Sequence, residues 1–177
     1  LQNITGLWIL QRLMSEWKTR GEEQSYDTLI PQAAEATIAS IIPVDDALFM
    51  NPVNMENALM DYCRQHDLPV PQNKAEMVKC VLQSLAFKYK QAVEKLNRCL
   101  PSPIRQLNII GGGSQNKLLN QLTADTLGIP VYAGPVEATA IGNILTQTMA
   151  KGEISDLHEL REIVRHSITP QVYHPKK

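Results

Sequence analysis

Three consecutive glycines, Gly111, Gly112 and Gly113, stand between an apolar run and a segment with helical periodicity, in the stretch IIGGGSQN. Glycine within a regular element costs up to about 1 kcal/mol relative to alanine, so a run of three indicates a need for bare backbone. That need is either a tight turn or a ligand lying against the main chain. A phosphate or an adenosine suits the second interpretation, because the first amides of the following helix are unpaired donors.

The glycine run matches neither of two common phosphate-binding motifs. It lacks the Lys and Ser/Thr that complete a P-loop, and it lacks the spacing of GxGxxG. Taken alone, the turn and the ligand interpretations therefore stay equally open. The two residues that follow, Gln115 and Asn116, either cap the next helix or touch a ribose, and capping is favoured for Asn116.

Composition limits the class of protein. The chain has 177 residues with 44% hydrophobic content, and 17 Lys and Arg balance 18 Asp and Glu. This charge offers no basic surface for nucleic acid or for an anionic membrane. No apolar run approaches the roughly 20 residues that span a bilayer, and no signal peptide is recognisable at the start.

The cysteines favour a cytoplasmic location. Cys63, Cys80 and Cys99 fit no metal-binding spacing and no secreted disulfide framework, so we expect reduced thiols packed as apolar residues. Cys63 and Cys80 fall on neighbouring predicted helices. Whether they approach each other is open.

Hydrophobic periodicity predicts a helix-rich α/β protein with a small set of strands. The longest helix, over 75–98, is expected to turn one apolar face inward, formed by Met77, Val81, Leu85, Phe87, Tyr89, Val93 and Leu96. Other helices are predicted over 4–20, 25–40, 55–67, 116–128, 135–153 and 155–167, and extended stretches over 41–44, 104–110 and 129–134. A polar tail is expected to follow the last helix.

Several motifs together resemble one protein family. The pattern comprises GGG, a helix carrying Ala-Asp, then GIPV and EATAIGN, and the preceding helix AEMVKCVLQSLAFKY is similar to a second family signature. These features resemble the C-terminal domain of the FGGY sugar kinases, and the resemblance covers essentially the whole chain. It implies the later part of a ribonuclease-H-like ATPase domain of the actin and hexokinase type.

The resemblance also implies how the chain is organised. Residues 1–177 would form part of the second kinase domain, with helical segments over 1–100 and an adenosine-binding α/β segment over 104–166. The first domain and the opening strands of the second, with the catalytic aspartate, would lie upstream. The missing initiator Met agrees with this expectation, and no catalytic residue is expected in this chain.

The family's nucleotide contacts carry over where the residues match. Gly111, Gly112 and Gly113 would lie against adenosine and the α-phosphate of ATP. Asn3 and Gln11 match positions that contact ATP, although the residues alone indicate a helix cap for Asn3 and a solvated side chain for Gln11. Mg²⁺ would be carried on the phosphates, without a protein ligand from this chain.

The implied phosphate acceptor is a ketose, L-rhamnulose first, with xylulose or fuculose as alternatives. Two other classes stay open: a non-catalytic nucleotide-binding or assembly domain of the same superfamily, and a protein-interaction scaffold in which the glycines only form a turn. Loss of the upstream strands would also expose apolar surface and favour self-association.

Other polar residues have simpler interpretations as structural groups. Glu137 and Thr139 suit a helix start, and Asp125 suits a polar anchor near a helix end. Asp45 and Asp46 are expected in a solvated turn rather than at a metal. The four histidines have no evident metal-ligand partners.

Overall fold

The structure, a computed structural model, describes residue 4 and residues 7–176. The chain divides into two compact units, Leu1–Pro103 and Ile104–Lys177. The division follows the stretch LPSP, where two prolines interrupt regular structure. Each unit has its own buried apolar residues.

The first unit is built from helices, three of which begin at a side-chain cap. The side chains of Ser25, Asn54 and Asn73 each accept a hydrogen bond from a backbone N–H in the first turn of the helix that follows. The helices are α1 (Trp8–Thr19), α2 (Tyr26–Glu35), α3 (Met55–Gln65) and α4 (Lys74–Asn97), with a 3₁₀ turn over Ala47–Phe49.

Only the first half of α4 is a core helix. Met77, Val81 and Leu85 are buried as predicted, but Phe87 is 39% exposed and Leu96 is 54% exposed. The predicted inward face is therefore wrong for the last turns. The physical reason is length, because α4 has 24 residues whereas α1, α2 and α3 have 10 to 12 and cannot cover it from end to end.

The segment between α2 and the 3₁₀ turn differs from the prediction. The second helix ends at Glu35 rather than near residue 40, and no strand forms over 41–44. Side chains of α4 bind this segment instead. Gln83 Nε2 donates to the carbonyls of Ile38 and Ser40, and Ser84 Oγ accepts from Ile42 N–H. The segment's backbone is thus satisfied without a sheet partner.

The second unit is a small α/β unit whose sheet contains, in spatial order, β1 (Leu107–Ile109), β2 (Val131–Ala133) and β3 (Gln171–Tyr173), with β1 parallel and β3 antiparallel to β2. Ala124, Val131, Ala133 and Tyr173 form its buried cluster. Its helices are α5 (Lys117–Leu127), between β1 and β2, and α6 (Ala138–Ala150) and α7 (Leu157–Ser167), between β2 and β3.

The third strand was not expected, since the sequence predicted only a polar tail after α7. In β3, Tyr173 pairs in register with Val131 and is buried. The strand has three residues and follows Pro170, so it carries no alternation long enough to be recognised.

Helices α6 and α7 bury no side chain within the described residues. Ile144 of α6 is 64% exposed. Glu137 occupies the N-cap position of α6 but makes no side-chain cap bond, so the predicted capping role is wrong for this residue. None of the described helices combines the length and apolarity that crossing a bilayer requires.

The three thiols are free, with Cys63 and Cys80 buried and Cys99 exposed. Cys63 of α3 and Cys80 of α4 do approach each other. A hydrogen bond with the Cys80 thiol lowers the pKa of Cys63 to about 7, and the same contact, together with burial, raises the pKa of Cys80. Burial nevertheless keeps reagents away from both sulfur atoms.

We therefore predict that iodoacetamide modifies Cys99 in the native protein, and that it modifies Cys63 and Cys80 only after unfolding. Mass spectrometry of the alkylated peptides measures this directly. In the native Cys99→Ser variant, which serves as the control, rapid alkylation of cysteine should no longer be detected. Rapid native labelling of Cys63 would contradict the packing of α3 against α4.

Candidate functional site

The glycine run lies at the carboxyl end of β1. Gly111 has φ 75° and ψ −164°, and a 3₁₀ turn then covers Gly112–Gln115. Asn116 follows as the N-cap of α5, its Oδ1 accepting from Leu119 N–H at 3.0 Å. The capping role predicted for Asn116 is confirmed. We call residues 111–116 the glycine turn.

The glycine turn is tied to the segment that follows β2. Gly111 N–H donates to Pro135 O at 3.0 Å, and Gly134 N–H donates to Ile109 O at 2.8 Å. Because β1 and β2 are parallel, their carboxyl ends lie at the same edge of the sheet. In open α/β sheets this edge is where ligands bind.

Side chains also brace the glycine turn from within. Ser114 is buried, and its Oγ donates to Gly111 O at 2.7 Å. Asn120 of α5 is fully buried, and its Nδ2 donates to Ser114 O at 2.8 Å. The turn is thus stabilised by one hydrogen bond between its own residues and by another to the helix that follows it.

The fold requires glycine at only one of the three positions of the run. Gly111 adopts a positive φ that side-chain-bearing residues rarely adopt. Gly112 and Gly113 do not have positive φ. A Cβ built on Gly112 would meet nothing within 4 Å, and one on Gly113 would only touch Ile109 Cγ2 at 3.9 Å. Neither conformation nor packing within this chain requires glycine at these two positions.

The other predicted nucleotide contacts are distributed over both units. Gln115 is exposed at the end of the 3₁₀ turn. Gln11 is exposed on α1 of the first unit, and its side chain makes no hydrogen bond to any described residue. Asn3 lies outside the described residues.

Asp125 is the polar anchor that the sequence indicated. Its Oδ1 accepts from Gln121 Nε2 at 2.8 Å and from Lys176 N–H at 2.7 Å. Gln121 Nε2 also donates to His174 O at 2.8 Å. The side chains of α5 therefore hold the segment that continues from β3.

Asp45 and Asp46 each contact a neighbour within the first unit. Asp45 pairs with Lys88 at 2.6 Å, and Asp46 caps the 3₁₀ turn by accepting from Leu48 N–H. Over residues 4 and 7–176, no group of three or more His, Cys, Asp or Glu side chains is arranged to hold a metal ion.

Three groups that contact the glycine turn were not predicted from the sequence: the Gly134–Pro135 segment, the Ser114 hydroxyl and the Asn120 amide. A Gly-Pro pair directly after a strand marks a turn, and this could have identified the first of them. Nothing in the helical stretch LLNQL distinguishes a buried Asn120 from a solvated one.

A cavity of about 630 Å³ also lies within the first unit, lined in part by Glu56, Arg64 and Lys74. Its charges are already paired. Glu56 accepts from Trp17 Nε1 and binds Arg20, while Lys74 binds Glu22 at 3.0 Å. We therefore assign it no function.

The sequence of residues 1–151 matches the C-terminal domain of the FGGY family of carbohydrate kinases, a match that includes the whole glycine turn and α5. The chain belongs to this family. The predicted family resemblance is thus confirmed, and so is the predicted fold class. The FGGY C-terminal domain has the ribonuclease-H-like fold of actin-type kinases.

Curated relatives agree with the family match. A rhamnulokinase of Bacteroides thetaiotaomicron is 45% identical over 99% of this chain and 36% of its own length. Rhamnulokinases of Pectobacterium atrosepticum and Bacillus subtilis are 46% and 39% identical over 99% of the chain, which covers 35% and 36% of their lengths. The FGGY chain thus spans about a third of the length of these relatives.

The Asp125 anchor leads to a prediction about stability. Replacing Asp125 with Ala should lower the free energy of unfolding of the second unit by about 1 kcal/mol, because two donors lose their acceptor. Urea denaturation measures this change.

Glu162→Ala in the same unit is the control, since the partners of Glu162 among the described residues, Arg165 and His166, lie on α7 itself. Its effect should stay below about 0.5 kcal/mol. Equal losses in the two variants would refute the anchoring role of Asp125.

Proposed function

We propose that this chain is the nucleotide-binding portion of a sugar kinase that transfers the γ-phosphate of ATP to L-rhamnulose. The product would be L-rhamnulose 1-phosphate, formed in rhamnose catabolism in the cytoplasm. Membership of a carbohydrate kinase family supports the reaction class. The name rhamnulokinase, shared by relatives at 39% to 46% identity, supports the sugar.

One observation carries the nucleotide part of the proposal. Gly112 and Gly113 lack side chains although neither their φ angles nor their neighbours within the chain demand it. A ligand that lies against the main chain accounts for both residues, because any Cβ there would point into its space. Adenosine and the α-phosphate of ATP are the proposed occupants.

The backbone donors of the turn suit an anionic ligand. Gly111 N–H is engaged by Pro135 O, and Ser114 N–H by Gly111 O. The N–H groups of Gly112 and Gly113 donate to no acceptor in the part of the chain that the structure describes. In the proposal these two amides donate to the nucleotide, and Gln115 approaches its ribose.

Gln11 and Asn3 are proposed as further ATP contacts, on the strength of the family motif that they match. Gln11 is free to serve this role, since its exposed side chain has no partner among the described residues. Asn116 is not included, because its side chain already caps α5.

The chain contributes to phosphoryl transfer through geometry. Positioning of the donor and neutralisation of its charge account for most catalysis in this chemistry. By holding the adenosine still, the glycine turn would aim the γ-phosphate at the sugar hydroxyl. Mg²⁺ would be bound by the phosphates. The base that accepts the hydroxyl proton would come from upstream sequence.

The glycine assignments are tested by paired variants in the complete kinase. Gly112→Val should raise the Michaelis constant for ATP about tenfold, because a branched side chain enters the proposed adenosine site. Its melting temperature should change little, since no described atom lies near the new Cβ.

Gly111→Ala is the matched control within the same turn. It should cost about 1–3 kcal/mol of stability, because alanine is strained at a φ of 75°. Melting temperatures and ATP kinetics separate the two effects. An unchanged ATP constant in Gly112→Val would refute the ligand role and leave the glycines as a turn.

A second prediction concerns the chain by itself. With no catalytic base assigned within it, the 177-residue polypeptide should not phosphorylate L-rhamnulose with MgATP. A coupled ADP-release assay compares it with a blank without protein. Turnover above the blank would show that the base lies within this sequence.

We also propose that the isolated chain self-associates through α6. This helix buries no described side chain, and Ile144 is exposed on it. Sedimentation velocity should reveal oligomers at high concentration, and Ile144→Lys should reduce them. A monomer at every concentration would overturn this expectation.

A further inference from the structure

Asn120 is a fully buried polar residue behind the glycine turn. It lies in the second turn of α5, with its side chain 0% exposed. Its Nδ2 donates to Ser114 O at 2.8 Å, reaching back six residues along the chain. Because a carbonyl oxygen only accepts hydrogen bonds, the amide nitrogen must be the atom that faces it.

This orientation leaves Asn120 Oδ1 without a partner among the described residues. A buried acceptor that loses its water and gains no donor costs about 1–3 kcal/mol. Leucine has the same branched shape and would remove this cost, but it would leave Ser114 O without its donor. The bond to Ser114 O is therefore the contact that accounts for an amide at this position.

The contact that Asn120 does make falls on the glycine turn. Ser114 directly follows the two glycines with free amides, and its hydroxyl donates to Gly111 O at the start of the turn. The Asn120 bond joins this turn to the interior of α5. It thereby holds the end of the turn, at Ser114, against α5.

We propose that Asn120 is a positioning residue for nucleotide binding, one that holds the Gly112 and Gly113 amides in the orientation that receives ATP. The proposal rests on the proposed function, since it assumes that the glycine turn binds the nucleotide. Asn120 does not touch the ligand. It acts through the carbonyl of Ser114.

The test is Asn120→Leu in the complete kinase, with steady-state kinetics measured separately for ATP and for the sugar. The Michaelis constant for ATP should rise about tenfold, because the turn is no longer held against α5. The constant for L-rhamnulose should stay within about twofold of wild type.

Two controls exclude a general loss of stability. Thr123→Val changes another fully buried polar residue of α5, whose hydroxyl donates to Leu119 O within the helix and does not reach the turn. Asp125→Ala weakens the second unit at the other end of α5. Both should lower the melting temperature while leaving the ATP constant unchanged.

The outcomes are distinguishable. If wild-type protein shows no saturable ATP-dependent turnover, the proposed function fails, and this inference fails with it. If wild type is active and Asn120→Leu keeps its ATP constant, or shifts the ATP and sugar constants equally, the positioning role alone is refuted.

If Asn120→Leu does not fold, Asn120→Ala, which adds no atoms to the core, is measured instead below its melting temperature. It should show the same selective rise in the ATP constant. A selective rise supports the proposal, and an unchanged or unselective one refutes it.

Discussion

The backbone conformation of Gly111 is the constraint on which the site depends. At φ 75° and ψ −164° the chain leaves β1 and turns at once into a 3₁₀ segment. Its N–H is held by Pro135 O and its carbonyl by Ser114. Gly111 thus connects the end of β1, the segment after β2 and the turn that leads into α5. A residue with a side chain would strain all three at once.

Helix α5 transmits that constraint to the rest of the second unit. Its first turns are locked to the glycine turn by Asn116 and Asn120. Its later turns carry Gln121 and Asp125, which hold the segment after β3. Ala124, between these two, packs into the cluster under the sheet. The same short helix therefore supports the candidate site at one end and completes the sheet at the other.

Features that depend on residues adjacent in sequence were predictable. The position of the glycines between a strand and a helix, the Asn116 cap and the end of α5 at Gly128 are set by residues adjacent in sequence, and each was predicted. Family membership was likewise predictable, because its motifs are contiguous.

Features that depend on distant neighbours were not predictable in the same way. Strand β3 exists because it pairs with β2, and the second half of α4 is exposed because its neighbours are shorter. Residues 38–42 avoid a sheet because Gln83 and Ser84 satisfy their backbone from 40 or more residues away. The burial of Asn120 belongs to the same class, since an asparagine in a helix is usually solvated.

The central claim is that the Gly112 and Gly113 amides receive ATP, and hydrogen–deuterium exchange of the complete kinase tests it most directly. Amides without acceptors exchange quickly, so the Gly112 and Gly113 amides, followed in peptides that cover residues 111–116, should exchange fast without nucleotide and slow saturably as ATP is added. Residues 26–35 of α2 serve as the internal reference and should not change. Saturable ATP binding with unaltered exchange in 111–116 would contradict the account.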